Sequence, residues 1–75
     1  MSSMDDTERE DLANRFTYHP PTSEQAARYV VIRDYGHGLA ATIMNHCPAS
    51  RERSLAIVKL EEAVMWANAS IARNE

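Results

Sequence analysis

The chain lacks most of what holds a very small protein together by covalent or metal bonds. Cys47 is its one cysteine in 75 residues, so no disulfide can close within it, and a lone thiol suits a reducing compartment. His19, His37 and His46 lack the four-residue helical spacing of a zinc-binding pair. The two glycines, Gly36 and Gly38, make no phosphate-cradling loop, and no nucleophile elbow or carboxylate pair stands out. His46 and Cys47 are adjacent, but neighbours at a helix end point apart, which argues against a nucleophile and base. No apolar run is long enough for a membrane span, and the acidic start MSSMDDTERED is unlike a secretory leader.

A strong basic balance is missing too. The formal charge is −3. Asp5, Asp6, Glu8, Glu10 and Asp11 crowd the start against Arg9 alone, leaving seven basic and six acidic residues beyond. That net of +1 is too weak to grip long nucleic acid by its phosphates. A small anion needs only a few local cations. Seven of the eight basic residues are arginine, whose guanidinium makes paired bonds to phosphate and stacks on bases. Solvated charge on helix surfaces is the plainer reading for most of them.

What the chain does have is helix. Residues 50–73, SRERSLAIVKLEEAVMWANASIAR, contain no glycine or proline and are rich in good helix formers. Ser50 suits an N-cap and Asn74 a stop. At about 100° per residue, the apolar side chains fall on two faces. Ile57, Leu60, Val64, Ala67 and Ile71 form one, with Leu55, Val58, Met65 and Trp66 nearly opposite. One short partner helix cannot cover both. A 75-residue domain buries only about 60% of its unfolded surface, so association is the expected route to stability, with Trp66 and Met65 as interface filling.

In order, residues 4–15 predict a short helix with thin apolar content (Leu12, Ala13, Phe16), acids toward its positive end, and a Thr7–Glu10 capping box if it starts late. Residues 16–22 predict a stiff extended connection, because Pro20 and Pro21 exclude helical angles before them. Here Phe16 reads as a core plug, and Tyr18 either as an available ring or as a packed loop aromatic. Residues 22–46 predict a second helix with a Thr22–Gln25 capping box. Tyr29, Ile32, Gly36, Leu39, Ile43 and His46 form its seam, with Ala40 and Cys47 on the same side and Val31, Tyr35 and Thr42 across from it. Gly36 and Ala40 permit close approach of another helix, while each glycine weakens the helix by about 1 kcal/mol. Arg33 sits at the seam's edge, so it must snorkel, meet an anion, or pair with Glu61 or Glu62. Pro48 ends this helix and Ser50 opens the third, so the two run antiparallel. Arg51, Arg53 and Ser54 crowd the third helix's N-terminus, a place that favours anions. The fold class is all-α: one helical domain, a short helix plus an antiparallel hairpin, assembled as a symmetric homo-oligomer.

Three segments carry a resemblance: RFTYHPP (Arg15–Pro21), CPASRERSLA (Cys47–Ala56) and KLEEAVMWANASIARNE (Lys59–Glu75). Together they resemble the small phage anti-CBASS sponges, whose helical hairpin domain is shared with the phage anti-Thoeris sponges. The resemblance covers nearly the whole chain from Arg15 onward. It implies a non-enzymatic binder that sequesters cyclic oligonucleotide immune signals in the host bacterial cytoplasm, with no cofactor. It implies a symmetric homohexamer with cyclic dinucleotides, of the cyclic GMP–AMP type, between protomers. Some members hold cyclic trinucleotides at separate sites. By motif position Tyr18 matches the family's pocket aromatic and Arg33 its basic residue, where members also carry Lys. Arg15, Phe16 and His19 join the expected ligand-binding set, and Arg73 is the candidate for trinucleotide phosphate, or else ties helix ends together. The anti-Thoeris relatives carry a further β-rich portion for which this length leaves no room, so a cyclic ADP-ribose-type ligand is disfavoured. Two rival classes stay open: a helical-hairpin protein-interaction module without a nucleotide, and a cyclic-nucleotide phosphodiesterase.

Overall fold

In the computed structural model, which describes residues 3–75, the chain forms three helices and, among the described residues, no strand: α1 (Asp6–Phe16), α2 (Ser23–His46) and α3 (Arg51–Asn74). Each start is fixed by a side chain that accepts an otherwise orphaned backbone N–H. At α1 the cap is Asp5, which accepts from the Glu8 amide at 2.7 Å while the Glu8 carboxylate accepts from the Asp5 amide at 3.3 Å. The capping box therefore uses Asp5 and Glu8, not Thr7 and Glu10. Acids this early already meet the positive end of the helix dipole. Thr22 and Gln25 form the reciprocal box of α2 at 3.1 and 3.0 Å. Ser50 accepts from the Arg53 amide at 3.1 Å and opens α3.

Helices α2 and α3 pack along their length as an antiparallel hairpin. The helices come close at Gly36, where an added Cβ would lie 2.6 Å from Val64 Cγ2. Glycine is needed there because the facing helix occupies the space of a side chain. Tyr29, Ile32, Gly36, Ala40 and Ile43 of α2 are half-buried against Ile57, Leu60, Val64, Ala67 and Ile71 of α3. Leu39 and His46, expected in the seam, are exposed. Ala40 takes the inward position beside Leu39, and the His46 ring folds back onto its own helix, Nδ1 lying 2.8 Å from the Thr42 carbonyl. Cys47 is exposed as well.

Arginines hold both ends of the hairpin. At the turn, the Arg53 guanidinium donates to the Met44 and Cys47 carbonyls at 3.3 and 3.1 Å. It satisfies acceptors that the end of α2 leaves open, so it is not an anion-seeking charge at the head of α3. At the open end Arg28 joins Glu75 and Glu24, with its Nη1 donating to Glu75 at 2.8 Å and its Nε 2.7 Å from Glu24. The hydrogen bond between them holds the Glu75 carboxyl below its ordinary pKa and, with the one to Glu24, keeps Arg28 protonated.

Helix α1 docks on this open end through polar contacts. Asn14 Nδ2 donates to the Arg73 carbonyl at 3.1 Å, and the Asn14 carbonyl lies 3.0 Å from His19 Nε2. With Asn14 turned toward α3, Phe16 two residues on points away and is 83% exposed. Phe16 is not a core plug in the protomer. No described side chain is buried. The molecule is a slab of 51 × 37 × 13 Å with a radius of gyration of 16.8 Å, against about 11 Å for a compact domain of this length. No described helix is long and apolar enough to cross a membrane.

Candidate functional site

The open end of the hairpin forms a groove of about 400 Å³ where three separate pieces of chain meet. The connection after α1 supplies Tyr18 and His19, α2 supplies Tyr29 and Arg33, and α3 supplies Asn68 and Arg73. Arg15 adds a third guanidinium from the last turn of α1. Pro20 and Pro21 keep the connection extended, so Tyr18 is carried across the mouth instead of being wound into a helix. Its ring is 80% exposed, open to a stacking partner. Ala69 and Ala72 form the floor, and their small side chains leave room for a ligand.

No carboxylate lines the groove, whereas three guanidiniums do. They differ in what already occupies them. Arg15 pairs with Asp11 at 3.0 Å, both largely exposed. The Arg73 guanidinium lies over the Trp66 ring, 5.7 Å from its centre. Arg33 makes no ion pair or hydrogen bond among the described residues. Glu61 and Glu62 do not answer it. With Gly36 set against Val64, the antiparallel register carries Arg33 to the level of Asn68, beyond those acids, and Glu62 instead faces Lys59 at 3.7 Å. His19 must carry its proton on Nε2 to donate to the Asn14 carbonyl, which fixes the ring's orientation. The Asn68 side-chain oxygen is buried with no hydrogen-bond partner.

Five of the six expected ligand contacts, Tyr18, Arg33, Arg15, His19 and Arg73, line this one groove. Phe16 does not. It belongs to an adjoining hollow of about 520 Å³ with Trp66 and Asn14, which Arg15 and Arg73 also border. Sequence reasoning missed Tyr29, which it assigned to the seam alone, and the Asn68–Ala69–Ala72 wall. The available signal was small residues at helical spacing beside Arg73, in ANASIAR. Among the described residues no group of His, Cys, Asp and Glu is placed to hold a metal ion.

The groove can hold an anion of modest size bearing a planar ring: guanidiniums to meet the charge, a phenol to meet the ring. A family model described as Acb2/Tad1, hairpin domain, matches residues 8–72 of the chain. No curated protein and no solved structure matches it.

Proposed function

The chain belongs to the Acb2/Tad1 hairpin-domain family, and from that premise we propose that it is a sponge for cyclic oligonucleotide second messengers. In this reading it binds cyclic dinucleotides of the GMP–AMP type in the open-end groove and sequesters them uncleaved. Bacterial CBASS effectors in the infected cell's cytoplasm then go unactivated. Cyclic trinucleotides are a second ligand class, held at separate sites that use Arg73. The observation that carries the reading is the acid-free groove in which Arg15, Arg33 and Arg73 converge beside the exposed Tyr18 ring. A cyclic dinucleotide presents two phosphates and two bases. Stacking of one base on Tyr18 contributes about 1–3 kcal/mol, and Arg33, with no acceptor among the described residues, has its donors available to a phosphate in this reading.

The groove volume falls within the range of small-molecule sites, about 300–1,000 Å³, but one protomer leaves the ligand open to water. Enclosure comes from neighbouring copies in a homo-oligomer, taken as a hexamer. Trp66, 54% exposed, belongs to the surface that assembly covers.

The test is retention without chemistry. The protein is incubated with cyclic GMP–AMP, freed of excess, heat-denatured, and the released nucleotide is chromatographed. Intact nucleotide in stoichiometric amount is the expected result. A linear product would make the protein a phosphodiesterase. No retention would favour the hairpin as a protein-interaction module.

A further inference from the structure

Among the described residues two side-chain atoms are buried without a hydrogen-bond partner, Arg28 Nε and Asn68 Oδ1. The first is answered by charge, with a Glu24 carboxylate oxygen at 2.7 Å. The second is answered by nothing. A buried amide oxygen without a donor is destabilising, so its presence calls for a reason beyond the fold. Its neighbours sharpen the point. Ala69 and Ala72 line the same wall of α3, and an alanine at position 68 would complete that wall with no polar atom to satisfy.

Donors stand across the groove on α2. Tyr29 and Arg33 lie one turn apart on the face of α2 that lines the groove with Asn68. The pairing of Gly36 with Val64 places Arg33 at the level of Asn68, and Tyr29 a turn further on, at the level of Ile71. Arg33 is exposed and makes no ion pair or hydrogen bond among the described residues. An unanswered acceptor on one helix therefore shares its level with an uncommitted fork of five N–H donors on the other.

We infer that Asn68 is a positioning residue for Arg33 in the ligand-bound state, a role that rests on the nucleotide reading above. A phosphate takes two parallel N–H bonds from one edge of a guanidinium and leaves donors on the others. Asn68 Oδ1 accepts one of these, so the phosphate sets the edge of the fork and the amide sets its plane. The oxygen is already shielded from water, so it makes this bond without first giving up a hydration shell. Holding the fork in one orientation reduces the side-chain freedom that phosphate binding alone would have to remove. A neutral amide also leaves the positive charge of Arg33 undiminished for the anion.

A double-mutant cycle tests the coupling. Cyclic GMP–AMP affinity is measured by titration calorimetry for wild type, Asn68→Ala, Arg33→Ala and the double variant. Asn68→Ala should weaken binding about ten-fold when Arg33 is present and less than about two-fold when it is absent. Its melting temperature should equal or exceed that of wild type, because the unanswered oxygen is gone. Asn68→Asp should weaken binding further, since a carboxylate there pairs with Arg33 and competes with the phosphate. Cyclic di-AMP and cyclic di-GMP should lose affinity by the same factor as cyclic GMP–AMP. Equal losses in the two backgrounds, or a loss confined to one nucleotide, would mean that Asn68 meets the ligand itself and would overturn the proposal. A lower melting temperature with unchanged affinity would overturn it too. Wild-type protein that retains no cyclic dinucleotide would instead bring down the nucleotide reading, and this inference with it.

Discussion

The two ends of the α2–α3 hairpin are built from the same residue type and do opposite things with it. At the turn, Arg53 is saturated: its guanidinium meets the Met44 and Cys47 carbonyls, and the strand of chain between the helices is tied down. At the open end, Arg33 has no protein partner among the described residues, and Arg15 and Arg73 face the same groove. Nothing in residue type separates these arginines. The acceptor within reach does: helix C-termini offer unsatisfied carbonyls, so an arginine beside one becomes part of the fold. An arginine over an alanine floor, with acids a turn away, keeps its donors for something else.

The largest effect that would sharpen this contrast is at Arg33. Arg33→Ala should weaken cyclic dinucleotide binding about 100-fold, the loss of charge-assisted hydrogen bonds to phosphate, with helicity and melting temperature unchanged. Arg33→Lys should lose less, because an ammonium keeps the charge but not the paired geometry. Isothermal titration alongside thermal melting separates the two readouts. If Arg33→Ala binds as wild type does, the open end is no different in kind from the turn. The mirror-image change is Arg53→Ala. It should cost about 1 kcal/mol of stability, a drop of several degrees in a chain this small, and leave nucleotide affinity untouched. A loss of affinity without a loss of stability would mean the turn arginine serves a ligand after all.

How far these roles could be read from the sequence follows the same division. The three helices, the caps at Thr22 and Ser50 and the close approach at Gly36 are local or periodic features. Pattern and spacing are enough to see them. Arg53 reaching across a four-residue turn to the carbonyls of Met44 and Cys47 has no such pattern, so it read as a charge at a helix head. Phe16 read as a core plug because it is the chain's one phenylalanine in an otherwise thin helix. The docking of α1 is in fact polar, through Asn14, and no hydrophobic ranking would choose an asparagine. Arg33 stands out in the sequence as a charge at the seam's edge, but its separation from Glu61 and Glu62 depends on the register of α2 against α3, which no local pattern carries. The short turn between His46 and Arg51 already sets Arg33 opposite the late sixties of α3, where ANASIAR supplies small side chains and no acid.

The smallest expected effect concerns the exception at the open end, the Arg28–Glu75 clamp, where an arginine near the groove is fully engaged with protein acceptors. The Glu75 carboxyl is held below its ordinary value of 4.5 by the Arg28 hydrogen bond. A depressed carboxylate pKa gives stability that is fully present above the unfolded value and is lost as pH falls through the folded one. The clamp therefore contributes at neutral pH and fades below about 4.5, the ordinary value. Both side chains are about 40% exposed, so solvent screens the pair and its share is slight. Removing it with Glu75→Gln should lower the melting temperature slightly at pH 7, and the gap between variant and wild type should narrow as the pH is lowered below the ordinary carboxylate value. Subtracting the two melting curves cancels the titration of the other acids, which both proteins share. A gap that persists unchanged as the pH is lowered would show that Glu75 acts through packing or its bond to Gln25.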